Sequence, residues 1–185
     1  MKISFELSQS DLEHFKEVMA RARKAAGHLS TQEIVDNASE LLAQVNRSET
    51  SSFIRNRMNK LETLIGMAID KGWGLTEDDR KRVVEALAYF SEADDLIPDD
   101  IPGLGFLDDA IMIELVCQEL EHEIQAYRDF VVYRAAEACR KGEDAHALER
   151  ADWLEERRQQ LHSRMRRRRR RGGGSSGGKS PFSLL

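Results

Sequence analysis

Ala110, Ile113, Cys117, Leu120, Ile124, Tyr127 and Val131 recur at alternating intervals of three and four. At about 100° per residue all seven fall on one narrow stripe of a helix. Ile111 and Leu115 lie on the opposite side, so the first two turns are apolar nearly all round and belong in the centre of a bundle. From Glu119 onward the far side is charged, which predicts that the helix emerges toward solvent before Gly142 ends it. A long central helix of this kind needs other helices around it.

The rest of the chain supplies them. It holds three prolines, two of them close together, which leaves long stretches free for helix. Ser8 and Asp11 cap a first helix with Leu12, Phe15, Val18, Met19 and Ala22 on one face, ending near Gly27. Ser30-Thr31-Gln32-Glu33 is a capping box, followed by Ile34, Ala38, Leu41, Leu42 and Val45 at helical spacing. A third helix runs from about Ser51 to Asp70 with Ile54, Met58, Leu61, Ile65 and Ile69 in register, and stops at Gly72 and Gly74. Thr76 and Asp79 cap a fourth, which buries Val83, Val84, Leu87 and Phe90. After the central helix a last one, from about Glu143, carries the thinner stripe Leu148, Ala151, Leu154, Leu161 and Met165. Residues 2–6 read as a short extended arm. The expected fold is a single all-α bundle of about six helices.

Charge divides the chain unevenly. Residues 164–185 hold seven arginines and Lys179 with no acid, which leaves 20 bases against 33 acids in residues 1–163. The expected organisation is therefore an acidic all-α body, 1–163, and a tail, 164–185, that is Arg-rich, then Gly/Ser-rich, and disordered. Two cysteines, Cys117 and Cys139, make no disulfide framework and no zinc spacing. The start has no apolar segment of a signal peptide, and no run approaches the length of a membrane span. The expectation is a cytoplasmic protein that is not integral to a membrane.

Helical texture breaks between Ser91 and Phe106. Six aspartates occur within Asp94–Asp109, interleaved with Leu96, Ile97, Ile101, Leu104, Phe106 and Leu107. Pro98 and Pro102 force Ile97 and Ile101 to be extended, and Gly103 and Gly105 follow. These residues predict a packed loop of fixed course. With Tyr89 and Phe90 ahead of it, the stretch Asp95-Leu96-Ile97-Pro98-Asp99, Ile101-Pro102, Leu104-Gly105 and Leu107-Asp108-Asp109-Ala110 resembles the signature of the YkvA-like family, bacterial proteins built around a domain of unknown function. The resemblance covers about residues 80–115. Ala93 stands where many members have proline. Glu114, Glu119, Glu121 and Glu123 interrupt the flank that in many members is apolar enough to suggest membrane attachment, so that property is not carried over. The family has no established activity, and the resemblance implies a domain rather than a reaction.

Two roles compete for the aspartates. Asp108 or Asp109 would cap the central helix, and Asp95 and Asp99 would accept backbone N–H bonds in turns. Alternatively Asp95, Asp99, Asp108 and Asp109 would converge on Mg²⁺ or Mn²⁺. The helical wheel points Asp109 with the buried stripe and Asp108 away from it. Capping explains most of these acids, and no cofactor is expected. Glu119/His122 and Glu143/His146 share the Glu-x-x-His spacing of di-iron bundles, but His122 lies almost opposite the stripe and Glu143 follows the helix break. Cys117 reads as a small core residue, and Trp73, between two glycines, as a plug at a helix end. No nucleophile motif or phosphate loop occurs.

Arg164 and Arg166, Arg167, Arg168, Arg169, Arg170 and Arg171 are a different kind of feature. If the last helix continues through them they ring it with charge; otherwise they form a flexible polycation. Either form attracts polyanions, whether nucleic acid, an acidic membrane surface or the acidic body itself. The reading is a non-enzymatic interaction or adaptor protein with an unknown protein partner and a polyanion-binding arginine segment. The alternatives are a divalent-metal-dependent enzyme or metal-regulated domain using the Asp cluster, and a nucleic-acid-associated protein acting through the tail.

Overall fold

The structure is a computed structural model that describes residues 7–91, 97, 101, 105–142 and 152–172. Among these residues it is all-α, as expected, with seven α-helices and two 3-10 turns. Helix α1 (Gln9–Ala25) and helix α2 (Thr31–Arg47) both open on the anticipated capping boxes, Ser8 with Asp11 and Ser30 with Glu33. Helix α3 (Ser52–Ile69) starts at the Ser51 cap, and α4 (Glu77–Leu87) at the Thr76 cap. A 3-10 turn, Ala88–Ser91, carries α4 toward the bend. The extended arm expected at 2–6 lies outside the described residues.

The single central helix is two. Helix α5 (Leu107–Glu119) is separated from α6 (Glu121–Lys141) at Leu120, whose φ of −104° and ψ of 20° leave the helical region. The two segments have different burial demands. Every residue from Asp108 to Ile113 is buried, together with Leu115 and Val116, so α5 occupies the middle of the bundle and packs chiefly on α3. Helix α6 buries one side only, through Glu123, Ile124, Ala126, Tyr127 and Phe130, and turns to lie against α3 and α7. Fully buried Leu120 is the pivot. Gly142, at φ 69°, ends α6 in the left-handed conformation that a glycine C-cap supplies.

Met58, Leu61 and Leu64 of α3, Leu87 of α4, and Met112 and Ile113 of α5 are the completely enclosed centre. Ile69, in register with the buried residues of α3, is 53 % exposed because the helix ends there. Trp73 is fully buried just past that end, its ring 5.8 Å from Tyr127, 5.2 Å from Phe130 and 4.2 Å from His162. It is the plug the sequence suggests, and the ring that seats α7.

Helix α7 (Asp152–Gly172) runs straight through the arginines, so the first of the two forms considered above is the one present. Its helix crosses the boundary drawn at residue 164. The remainder of the expected tail, 173–185, lies outside the described residues, as do Leu148 and Ala151.

Candidate functional site

At the bend, backbone demand decides the geometry. Leu107 is the first residue of α5, and Phe106, buried at φ 65°, occupies the N-cap with no side-chain cap. Neither Asp108 nor Asp109 is therefore the cap residue; both sit in the first turn, where an anion still meets the helix dipole favourably. Asp108, which the wheel points away from the stripe, is buried all the same. It is 1 % exposed, and its Oδ2 accepts from the Ile97 amide at 3.1 Å and from the Tyr89 hydroxyl at 3.4 Å. Ile97 and Tyr89 meet this side of α5 and turn an outward face into an inner one. Asp109 is buried as expected.

Gly105 is buried and donates its N–H to the Ile101 carbonyl at 2.8 Å. Ile97 and Leu107 are half-buried, while Ile101 is 38 % exposed. Asp95, Asp99, Pro98, Pro102 and Gly103 fall outside the described residues, so the four acids of the metal reading are not seen together. No group of three or more His, Cys, Asp or Glu side chains suited to a metal occurs among the described residues. Glu119 instead pairs with Arg23 at 2.7 Å, and Glu143 and His146 are not described. Cys117 is partly buried against the core, and burial pushes its thiol up to about 11, which leaves it protonated rather than nucleophilic.

The stronger constellation lies at the far end of α7. Arg169 Nη1 sits 2.7 Å from Asp79 Oδ1 and 3.1 Å from Glu123 Oε1. Arg166 reaches Asp79 Oδ2 at 3.1 Å, and Arg82 Nε is 3.6 Å from Glu123. Thr76 Oγ1 donates to Asp79 Oδ2 at 2.8 Å. Both carboxylates are 1 % exposed, so the arginines meet them in a largely dewatered seat where charge pairing is strong and an orphaned partner is costly. Burial alone would raise the Asp79 carboxyl, but hydrogen bonds from Arg169, Thr76 and Arg166 hold it below the usual carboxylate range.

Nearer its start, α7 docks through apolar and aromatic contact. Leu154, Leu161 and Met165 are buried, and His162 stands edge-on to Trp73 with an interplanar angle of 85°. Burial, then the Arg166 charge, pushes the His162 imidazole down to about 4, so it is neutral at ordinary pH. Arg158 donates to the Gly72 carbonyl at 3.3 Å and pairs with Glu155. Beside this seam Arg134 grips Asp70 with two bonds of 3.0 and 2.8 Å, and the Tyr127 hydroxyl donates to the same carboxylate at 3.1 Å.

The seven arginines of the candidate polyanion segment are thus not equivalent. Arg166 and Arg169 are half-buried anchors. Arg164 is exposed, with a 3.4 Å contact to Asp129. Arg167, Arg168, Arg170 and Arg171 are exposed, with no ion pair to any described residue. The seat itself escaped the sequence reading, although its signal was there. Glu123 has Leu120, Ala126, Tyr127 and Phe130 at helical spacing around it, and Asp79 stands four residues before Val83 and eight before Leu87. A carboxylate inside an apolar stripe needs a cation, and the chain had a surplus of them at its end.

One comparison with known proteins bears on this arrangement. The family described as protein of unknown function (DUF1232) matches residues 82–115, from the second turn of α4 through the bend into α5. No curated protein and no solved structure matches the chain.

Proposed function

We propose that this chain is a non-enzymatic interaction protein of the cytoplasm that binds polyanions through the solvent face of α7, with a YkvA-like domain as the body that holds the helix. The observation that carries this reading is the division of the arginine run. Two members are spent on Asp79 and Glu123, and Arg167, Arg168, Arg170 and Arg171 are held on a docked helix without counter-charge. Positive charge near a helix C-terminus is favoured by the dipole, so the helix carries this load there at least cost. Guanidinium groups match phosphate and sulfate oxygens in bidentate fashion, and binding releases condensed counterions. The stretch matched at 82–115 contributes structure to the same surface, because Arg82 helps to hold Glu123. No helix among the described residues is long and apolar enough to cross a membrane, and Cys117 and Cys139 are both free, which agrees with the compartment proposed.

The test is retention on an immobilised sulfated or phosphorylated polymer. Wild-type protein should bind and elute as salt rises. The variant Arg167→Gln/Arg168→Gln/Arg170→Gln/Arg171→Gln should pass through while melting at the wild-type temperature. Equal retention of both proteins would refute the role given to α7.

A further inference from the structure

The exposed arginines are arranged as well as numerous. Arg164, Arg167, Arg168 and Arg171 stand at i, i+3, i+4 and i+7, so they share one face of α7. Arg166 and Arg169 belong to another face, where Asp79 and Glu123 hold them. The last turns of α7 therefore present one straight row of cations, and the buried seat fixes how the row is turned. At 1.5 Å per residue the row spans about 10 Å. Phosphates on one strand of a duplex advance about 3.4 Å each along the axis, so the row spans about three phosphate intervals and its four arginines meet about four phosphates.

We infer that this row is a docking surface for the phosphodiester backbone of a double-stranded nucleic acid, bound without reading its sequence. The inference rests on the polyanion reading above and names its partner. A membrane surface fits the row less well. Leu154, Leu161 and Met165 are buried in the protein, which leaves residues 154–171 of this helix no apolar face to sink between headgroups. The large apolar side chains exposed among the described residues, Ile69, Ile101 and Val132, lie on other elements. Single strands fit less well too. Their binding draws on bases stacked against aromatic rings, and residues 154–171 of α7 contain no Phe, Tyr or Trp. A preset row of guanidinium groups suits a backbone that is itself rigid and regularly charged.

The experiment titrates the full chain against a short mixed-sequence duplex, one of its single strands, and vesicles rich in phosphatidylserine, between about 50 and 200 mM salt. Four phosphate contacts predict a log–log salt slope of about −3.6 for the duplex, a loss of affinity on the order of 10²-fold across that range. The variant Arg164→Gln/Arg167→Gln/Arg168→Gln/Arg171→Gln should abolish duplex binding, with helix content and melting temperature retained. A companion variant that keeps Arg164, which touches Asp129, should lose about a quarter less of the slope. Single strand bound as tightly as duplex, or vesicles bound in place of duplex, overturns this inference and leaves the polyanion reading standing. A slope steeper than about −5.5 shows that the anchors join in and overturns the division of the row. Binding to none of the three overturns both readings.

Discussion

Asp79 and His162 are both buried at the α7 seam, and each gives stability its own dependence on pH. Asp79 is depressed from the ordinary 3.8, so the unfolded chain takes up that proton first. Its contribution is whole above about pH 4 and is lost as pH falls through the lowered value. His162 is a base lowered from 6.5 to about 4, so between those values the unfolded chain binds a proton that the folded one refuses. Stability should fall by about 3 kcal/mol as pH drops across that interval. Thermal melts at pH 7 and pH 4.5 check this: His162→Phe, which keeps a ring beside Trp73, should lose most of the difference. Asp79→Asn should cost about 3 kcal/mol at neutral pH, because Arg166 and Arg169 lose a buried counter-charge, and denaturant titration reads it directly. At the bend, Asp108→Asn should cost about 1–2 kcal/mol, since its Oδ2 holds both the Ile97 amide and the Tyr89 hydroxyl. Addition of Mg²⁺ or Mn²⁺ at millimolar concentration should leave the melting temperature of the wild type unchanged; a rise that Asp109→Asn removes would place a cation among the aspartates instead.

Among the elements, helix starts were the most legible part of the sequence. Ser8, Ser30, Ser51 and Thr76 each cap the helix expected of them, because a cap is a local bond between residues three apart. The break at Leu120 was hidden for the opposite reason. The apolar spacing runs on through it unchanged, and only tertiary packing, α5 on α3 and α6 on α3 and α7, separates the two segments. Asp108 misled in the same way, since a helical wheel cannot know that Tyr89 and Ile97 will meet the side away from the stripe. Gly142, by contrast, was visible as a stop, and it has no contact that a methyl group would disturb. Gly142→Ala should therefore cost only the left-handed backbone penalty of about 1 kcal/mol, without change in helix content.

For the molecule as a whole, the excess of 33 acids over 20 bases before residue 164 was plain in the composition, but its use was not. Among the described residues most of those acids are exposed. Two of them, brought together from α4 and α6, decide where the arginines go, and no local pattern links residues 79, 123 and 169. The apolar face of α7 was legible, and so was the need of carboxylates 79 and 123 for a cation; which arginines meet them is decided by tertiary structure.

That seat joins partners 90 and 46 residues apart in the chain, whereas α2 against α3 and α3 against α4 are neighbours in sequence. Contacts so distant are closed late, after nearer pairs have organised the centre. Helix α7 should accordingly be the last segment to dock and the first to peel away. In native-state hydrogen exchange its amides should open at lower free energy than those of α3 and α5, as a separate cooperative unit.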